Sequence, residues 1–156
     1  MMYKLLNNNK SRIYYTYLRD VDYMEPIKEE TSNVTEKLNN ISIRERIKNR
    51  NFTDIEHWDV SGVTDMCELF KNEHKFNRDI RNWDVSNVTD MSFMFCNCYK
   101  FNKNIGNWDV GEVKDMTSMF SRCYKFNQPI GRWNVSKVED MCNMLNSCRK
   151  FNQYIG

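Results

Sequence analysis

Two apolar periods alternate along the chain. Trp58 and Val60 flank Asp59, and the same apolar–polar–apolar triplet recurs at Trp83–Val85, Trp108–Val110 and Trp133–Val135. Alternating side chains point to one face of an extended chain, so each triplet predicts a short strand. A few residues on, Met66, Leu69 and Phe70 follow i, i+3, i+4, and Met91, Met94, Phe95 and Cys98 carry the stripe to i+7. That spacing predicts a helix of one to two turns. Asp65, Asp90, Asp115 and Asp140 stand just before the stripes, where a carboxylate accepts orphan backbone N–H bonds and meets the positive end of a helix.

The two periods form one unit that recurs every 25 residues. The step relates all the tryptophans, Trp58, Trp83, Trp108 and Trp133, and also Phe76, Phe101, Phe126 and Phe151. Met66, Met91, Met116 and Met141 form a third column, Ile55, Ile80, Ile105, Ile130 and Ile155 a fourth, and paired valines run from Val60 and Val63 to Val135 and Val138. A single unit has too few apolar side chains to offset the entropy of ordering it, so the units are stable only when stacked. The expected fold is an α/β repeat solenoid of about four 25-residue coils over 51–156, each coil a short strand plus a short helix.

Residues 1–50 do not repeat. Ile13 to Leu18 reads as a strand or a short buried helix, and Pro26 with Glu29 and Glu30 marks a break. Asn33 with Glu36 forms a capping box, and Val34, Leu38, Ile41 and Ile47 predict an amphipathic helix over about 34–49. Such a helix gives the stack a mainly helical N-terminal cap. The other end carries no cap: Tyr154-Ile155-Gly156 stands where another Trp-Asp-Val strand would begin. Truncation of the gene copy and docking of the 133–156 end on a partner, its own copy included, are both compatible with that.

The unit W-D-V-S-x-V-x-D-M-x-x-M-F-x-x-C-x-x-F-N, as in Trp83 to Asn102, closely resembles the repeat of the BspA-type leucine-rich-repeat surface proteins. The resemblance covers about residues 51–156. It implies a right-handed, leucine-rich-repeat-like solenoid with a role in adhesion or protein binding, and it points to a cell or particle surface. The N-terminus points elsewhere: after Met1 its apolar run stops at Leu5 and Leu6, too short for an export signal, which favours an intracellular protein. No stretch approaches the length of a transmembrane span.

Charge narrows the function classes. With 23 basic and 21 acidic residues the net charge is +2, which excludes a polycationic arm or a polyacidic tail, and no nucleic acid is expected as partner. His57 lies in a column with Asn82, Asn107 and Arg132, and His74 is aligned with Asn97, Arg122 and Ser147, which reads both as surface residues rather than catalytic ones. No nucleophile-base order or phosphate-binding glycine loop is present, so no enzyme and no cofactor are expected. The six cysteines read as core thiols, although disulfides and a zinc site at Cys96, Cys98 and Cys123 are rival readings. Asp59, Asp84 and Asp109, with Asn134, read as turn formers that accept nearby N–H groups, with calcium bridging as the rival.

The expected function is noncovalent recognition of a protein partner. Positions that vary from coil to coil, Glu56 and His57, Arg81 and Asn82, Gly106 and Asn107, Gly131 and Arg132, are the candidate contacts. The column Lys75, Lys100, Lys125 and Lys150 is a second face. The alternative is an assembly component that associates end to end through its uncapped coil.

Overall fold

The computed structural model describes residues 4–5, 13–14 and 36–155. The chain divides into two compact units, 1–34 and 35–156. In the first, strand β1 (Lys4–Leu5) pairs antiparallel with β2 (Ile13–Tyr14), Lys4 opposite Tyr14 and Leu5 opposite Ile13. The segment from Ile13 thus begins as a strand. Tyr15 to Leu18, Pro26, the Glu29-Glu30 pair and Asn33 lie outside the described residues.

The second unit opens with helix α1 (Asn40–Lys48). Its capping box is Asn39 with Ser42: the Asn39 side chain accepts from the Ile41 and Ser42 N–H groups, and the Asn39 N–H donates to Ser42 Oγ at 3.0 Å. Glu36, the expected partner in that motif, precedes the helix. Short polar side chains at such positions satisfy the first, otherwise unpaired, N–H groups. Ile43 and Ile47 are buried and Ile41 is exposed.

The coils that follow overturn the expected α/β solenoid of strands and helices. Among the described residues α1 is the one α-helix, the strands are β1 and β2, and the coils consist of turns apart from one short 3-10 helix at Ile55–His57. Within the supposed helical stripe, the N–H groups of Met66, Glu68, Phe70 and Asn72 donate across to the carbonyls of Asp90, Ser92, Met94 and Cys96, each at 2.9 Å. Those of Leu69, Lys71 and Glu73 return three residues, to Met66, Glu68 and Phe70. With alternate donors committed to the neighbouring coil, the i to i−4 pattern of an α-helix does not form. Glu68 and Asn72 also sit at φ 58° and 67°, as do their counterparts in every later coil (Phe93 and Asn97, Ser118 and Arg122, Asn143 and Ser147, φ 54–65°). Two left-handed residues per coil are incompatible with a right-handed helix. Consecutive tight turns place Met91, Met94, Phe95 and Cys98 inward just as a helix would, so the periodicity had two solutions.

The strand expectation fails for a related reason. Trp58 and Val60 are buried on either side of Asp59, as alternation requires. Yet Val60 enters a turn immediately, its carbonyl accepting from Val63 at 2.8 Å, and the same turn recurs at Val85, Val110 and Val135. The repeating contact between coils is a one-residue parallel bridge, Asp65 to Asp90 to Asp115 to Asp140. Those aspartates accept from the N–H two residues on, at 2.7–2.8 Å (Cys67, Ser92, Thr117, Cys142). They start Asx turns and cap no helix.

Packing follows the columns. Phe70, Phe95 and Phe120 stack with centroids 5.6 Å apart, and Phe76, Phe101, Phe126 and Phe151 stack at 5.9 Å. Each indole N–H of Trp83, Trp108 and Trp133 donates to an isoleucine carbonyl of the previous coil (Ile55, Ile80, Ile105) at 2.8–3.3 Å. Trp58 has no such coil before it and donates instead to Thr53 O at 3.1 Å. Leu38, Ile43 and Ile47 join the same apolar core.

Candidate functional site

The interior leaves little chemistry to the outside, so the site is sought along the edges. The loop between each Ile and Trp carries the coil-to-coil variable pairs. Glu56, His57, Arg81 and Asn82 are exposed and line an open hollow of about 510 Å³ with Asn77, Arg78, Asp79 and Lys103. Gly106, Asn107, Gly131 and Arg132 line a second, of about 520 Å³, with Asn104, Pro129, Gln153 and Tyr154. The structure therefore gathers the eight variable candidates into two concavities of the same column. Arg81 forks onto Asp79 (Nη2 to Oδ2 2.7 Å) and holds that carboxyl below its ordinary range.

Gly106 and Gly131 have a structural reason besides. A Cβ at Gly106 would lie 2.2 Å from the Pro129 carbonyl oxygen, and one at Gly131 2.4 Å from that of Tyr154. Backbones of adjacent coils approach too closely there for any side chain.

The lysine column occupies another part of the edge. Lys75, Lys100, Lys125 and Lys150 are all exposed and line neither hollow. Beside them lies a ring stack. The column of His74 is not Asn97, Arg122 and Ser147, which stand 23 residues on and beyond; the 25-residue step aligns it with Tyr99, Tyr124 and Arg149. The rings of His74 and Tyr99 stack at 4.4 Å and 3°, those of Tyr99 and Tyr124 at 4.9 Å, and Arg149 sits 4.7 Å over Tyr124. His74 Nδ1 is 3.0 Å from Asn97 O. His74 is thus a surface residue, as expected, but an ordered one, and a strict step of 25 was the signal that finds its partners.

The thiols and carboxylates are engaged locally. All six cysteines are free. Cys98, Cys123 and Cys148 donate to Phe70, Phe95 and Phe120 carbonyls at 3.0 Å, so this column extends the hydrogen bonding between coils. Burial raises all three, Cys148 to about 11. Cys67, Cys96 and Cys148 are only half buried and Cys142 is exposed, which corrects the reading of every cysteine as a core thiol. Asp59 and Asp84 each accept from the N–H and hydroxyl of the serine two residues on, Ser61 and Ser86, which lowers both carboxyls. That is the local turn expected of the column.

One group among the described residues has the makings of a metal site: Asp65, Cys67 and Asp90, with donor atoms within 4.8 Å of one another. One oxygen of each carboxylate and the sulfur already have polar neighbours. Asp65 Oδ1 accepts from Arg44 Nη2 at 2.9 Å and from Cys67 N, Asp90 Oδ1 accepts from the Ser92 hydroxyl at 2.7 Å, and Cys67 Sγ lies 3.2 Å from that hydroxyl oxygen. Among the described residues no helix is long and apolar enough to cross a membrane.

Compared with known proteins, residues 37–156 match the family described as Mycoplasma protein of unknown function, DUF285, and the chain belongs to this family. No curated protein and no solved structure matches it.

Proposed function

We propose that the chain is a non-enzymatic recognition module that binds a protein partner through the edge of its stacked coils. The observation that carries this reading is the division of labour within the repeat. The apolar columns fill the interior of every coil but the last, while the positions that differ line the two hollows at Glu56–Asn82 and Gly106–Arg132. A rigid frame with changeable edge residues suits specificity, because the frame loses little freedom on binding. The resemblance to the BspA-type repeat supports the same reading and extends it to adhesion.

The test is affinity capture with the 156-residue chain and with Arg81→Glu/Arg132→Glu, two exposed positions whose reversal leaves the core untouched. A discrete partner retained by the parent chain and lost by the variant supports the reading. A partner held equally by both removes the hollows from it.

One observation favours assembly as a second reading. The N–H groups of Met141, Asn143, Leu145 and Ser147 occupy the register that donates to the next coil elsewhere, and they have no backbone partner among the described residues. Concentration-dependent mass in light scattering, abolished by Val135→Lys/Met141→Lys, is its signature; a single mass at all concentrations excludes it.

A further inference from the structure

The net charge of the repeat array conceals a strong segregation. Where the chain passes from the stacked ring position through the lysine column to the buried phenylalanine, the four coils read His74-Lys-Phe-Asn-Arg78, Tyr99-Lys-Phe-Asn-Lys103, Tyr124-Lys-Phe-Asn-Gln128 and Arg149-Lys-Phe-Asn-Gln153. Residues 51–156 hold thirteen basic and fourteen acidic side chains. Seven of the thirteen lie in these four pentads, together with none of the fourteen, which leaves six against fourteen for the rest. One strip is therefore +7 and the remainder of the array −8.

None of these seven cations takes part in an ion pair among the described residues. The nearest acids in sequence are turned to other partners: Glu73 pairs with Arg50 and Asp79 with Arg81. The strip is also held in shape. The Phe76 to Phe151 stack lies beneath it, the Asn102, Asn127 and Asn152 N–H groups each donate to the asparagine side chain one coil back at 2.9–3.0 Å, and the His74–Tyr99–Tyr124–Arg149 stack flanks it. Like charges fixed in adjacent coils repel unless an anion lies across them.

We propose that this basic strip binds an acidic, extended polypeptide segment of the protein partner. The inference rests on the reading of the chain as a protein-binding module and names the partner's chemistry. At the 5.9 Å spacing of the phenylalanine stack beneath, three coil steps span roughly 18 Å, which about six residues of extended chain cover, so a short run rich in Asp and Glu meets all four lysines. A single-stranded nucleic acid fits less well. Its usual purchase is base stacking on open aromatic faces, and here the ring faces of Tyr99 and Tyr124 are closed by one another, His74 and Arg149. The strip continues into the Glu56–Asn82 hollow through Arg78 and Lys103, so a segment lying on it leads towards the variable positions.

The test measures binding of a fluorescent oligoglutamate peptide to the full chain by anisotropy, with oligothymidylate and vesicles of anionic phospholipid as comparison probes. The lysine variant is Lys75→Glu/Lys100→Glu/Lys125→Glu/Lys150→Glu, with the corresponding Lys→Gln set in reserve should reversal disturb folding as judged by tryptophan emission. Oligoglutamate affinity is expected to fall at least about tenfold in the lysine variant, to weaken with added salt, and to fall less in Arg81→Glu/Arg132→Glu than in the lysine variant. Oligoglutamate binding that ignores the lysines overturns the proposal. So does tighter lysine-dependent binding of oligothymidylate or of the vesicles, which assigns the strip to phosphate. Loss of partner capture in Arg81→Glu/Arg132→Glu, with oligoglutamate bound more tightly than by the lysine variant, separates this strip from the hollows.

Discussion

The two ends of the stack share one local design and differ in what lies against them. At the α1 end, side chains of the helix replace a missing coil. Asn40 Oδ1 accepts from the Thr64 and Asp65 N–H groups, a place taken one coil on by the Thr64 carbonyl, which accepts from Thr89. Arg44 donates to the Cys67 carbonyl at 2.8 Å. Met66 and Val60 are then as fully buried as Met91 and Val85 in the middle. At the other end Met141 is 39% exposed and Val135 40%. Even so, the 133–155 coil keeps the same turns, Met144 N to Met141 O at 3.1 Å and Val138 N to Val135 O at 3.0 Å, and the same left-handed residues at Asn143 and Ser147. Turn geometry thus needs only the coil before, whereas burial needs the coil or cap after.

The sharpest test of that division replaces the same column residue at two depths. Met91→Ala should cost about 2–5 kcal/mol, as expected of a fully buried side chain whose cavity is only partly refilled. Met141→Ala should cost less than about 1 kcal/mol, because little apolar area leaves water at that site. Denaturant unfolding of both variants measures the difference, and equal costs would mean that the terminal face is covered in solution.

At the α1 end, Asn40→Ala removes the acceptor for two backbone N–H groups and a 3.0 Å bond to Thr64 Oγ1. The site is partly solvated, so the expected loss is about 1–2 kcal/mol, the range for a lost hydrogen bond that water only partly restores. Amide exchange at Thr64 and Asp65 should accelerate while that at Thr89, bonded to backbone, holds. Unchanged exchange at Thr64 and Asp65 would show that α1 does not substitute for a coil.

The sequence made the period, the stacked columns and the buried set legible: 25-residue steps named Trp83, Met91, Phe95 and Ile105 as interior, and each is. It did not make the backbone legible. Spacing at i, i+3, i+4 reports which side chains turn inward, and a run of β-turns with left-handed residues satisfies it as well as a helix does. The residues that distinguish the two carry no warning: Glu68, Phe93 and Ser118 adopt φ 54–58° without being Gly or Asn. The edge was half legible. The variable pairs and the lysines stood out by position, but the Tyr99 and Tyr124 stack was lost to a misalignment of two residues, and the start of α1 to a capping box six residues too early.

The smallest expected effect is kinetic, and it reads the two depths through one cysteine column. Cys123 is fully enclosed and burial raises its thiol far above the ordinary range, while Cys148, one coil on, is raised only to about 11. A raised value means less thiolate at a given pH, and the thiolate is the form that reacts. With a chromogenic disulfide reagent, Cys148 should therefore react slowly at pH 8, and its rate should rise about tenfold per pH unit as pH climbs towards the folded value. Cys98 and Cys123 should react only on unfolding. Exposed Cys142 should react first, yet more slowly than an unhindered cysteine, because the Asp140 carboxylate beside it raises its thiol. Asp140→Asn removes that charge and should speed Cys142 several-fold at pH 8 while leaving Cys148 unchanged. If Cys148 proves as inert as Cys123, the terminal coil is shielded in solution, and the contrast between the two ends belongs to the isolated chain alone.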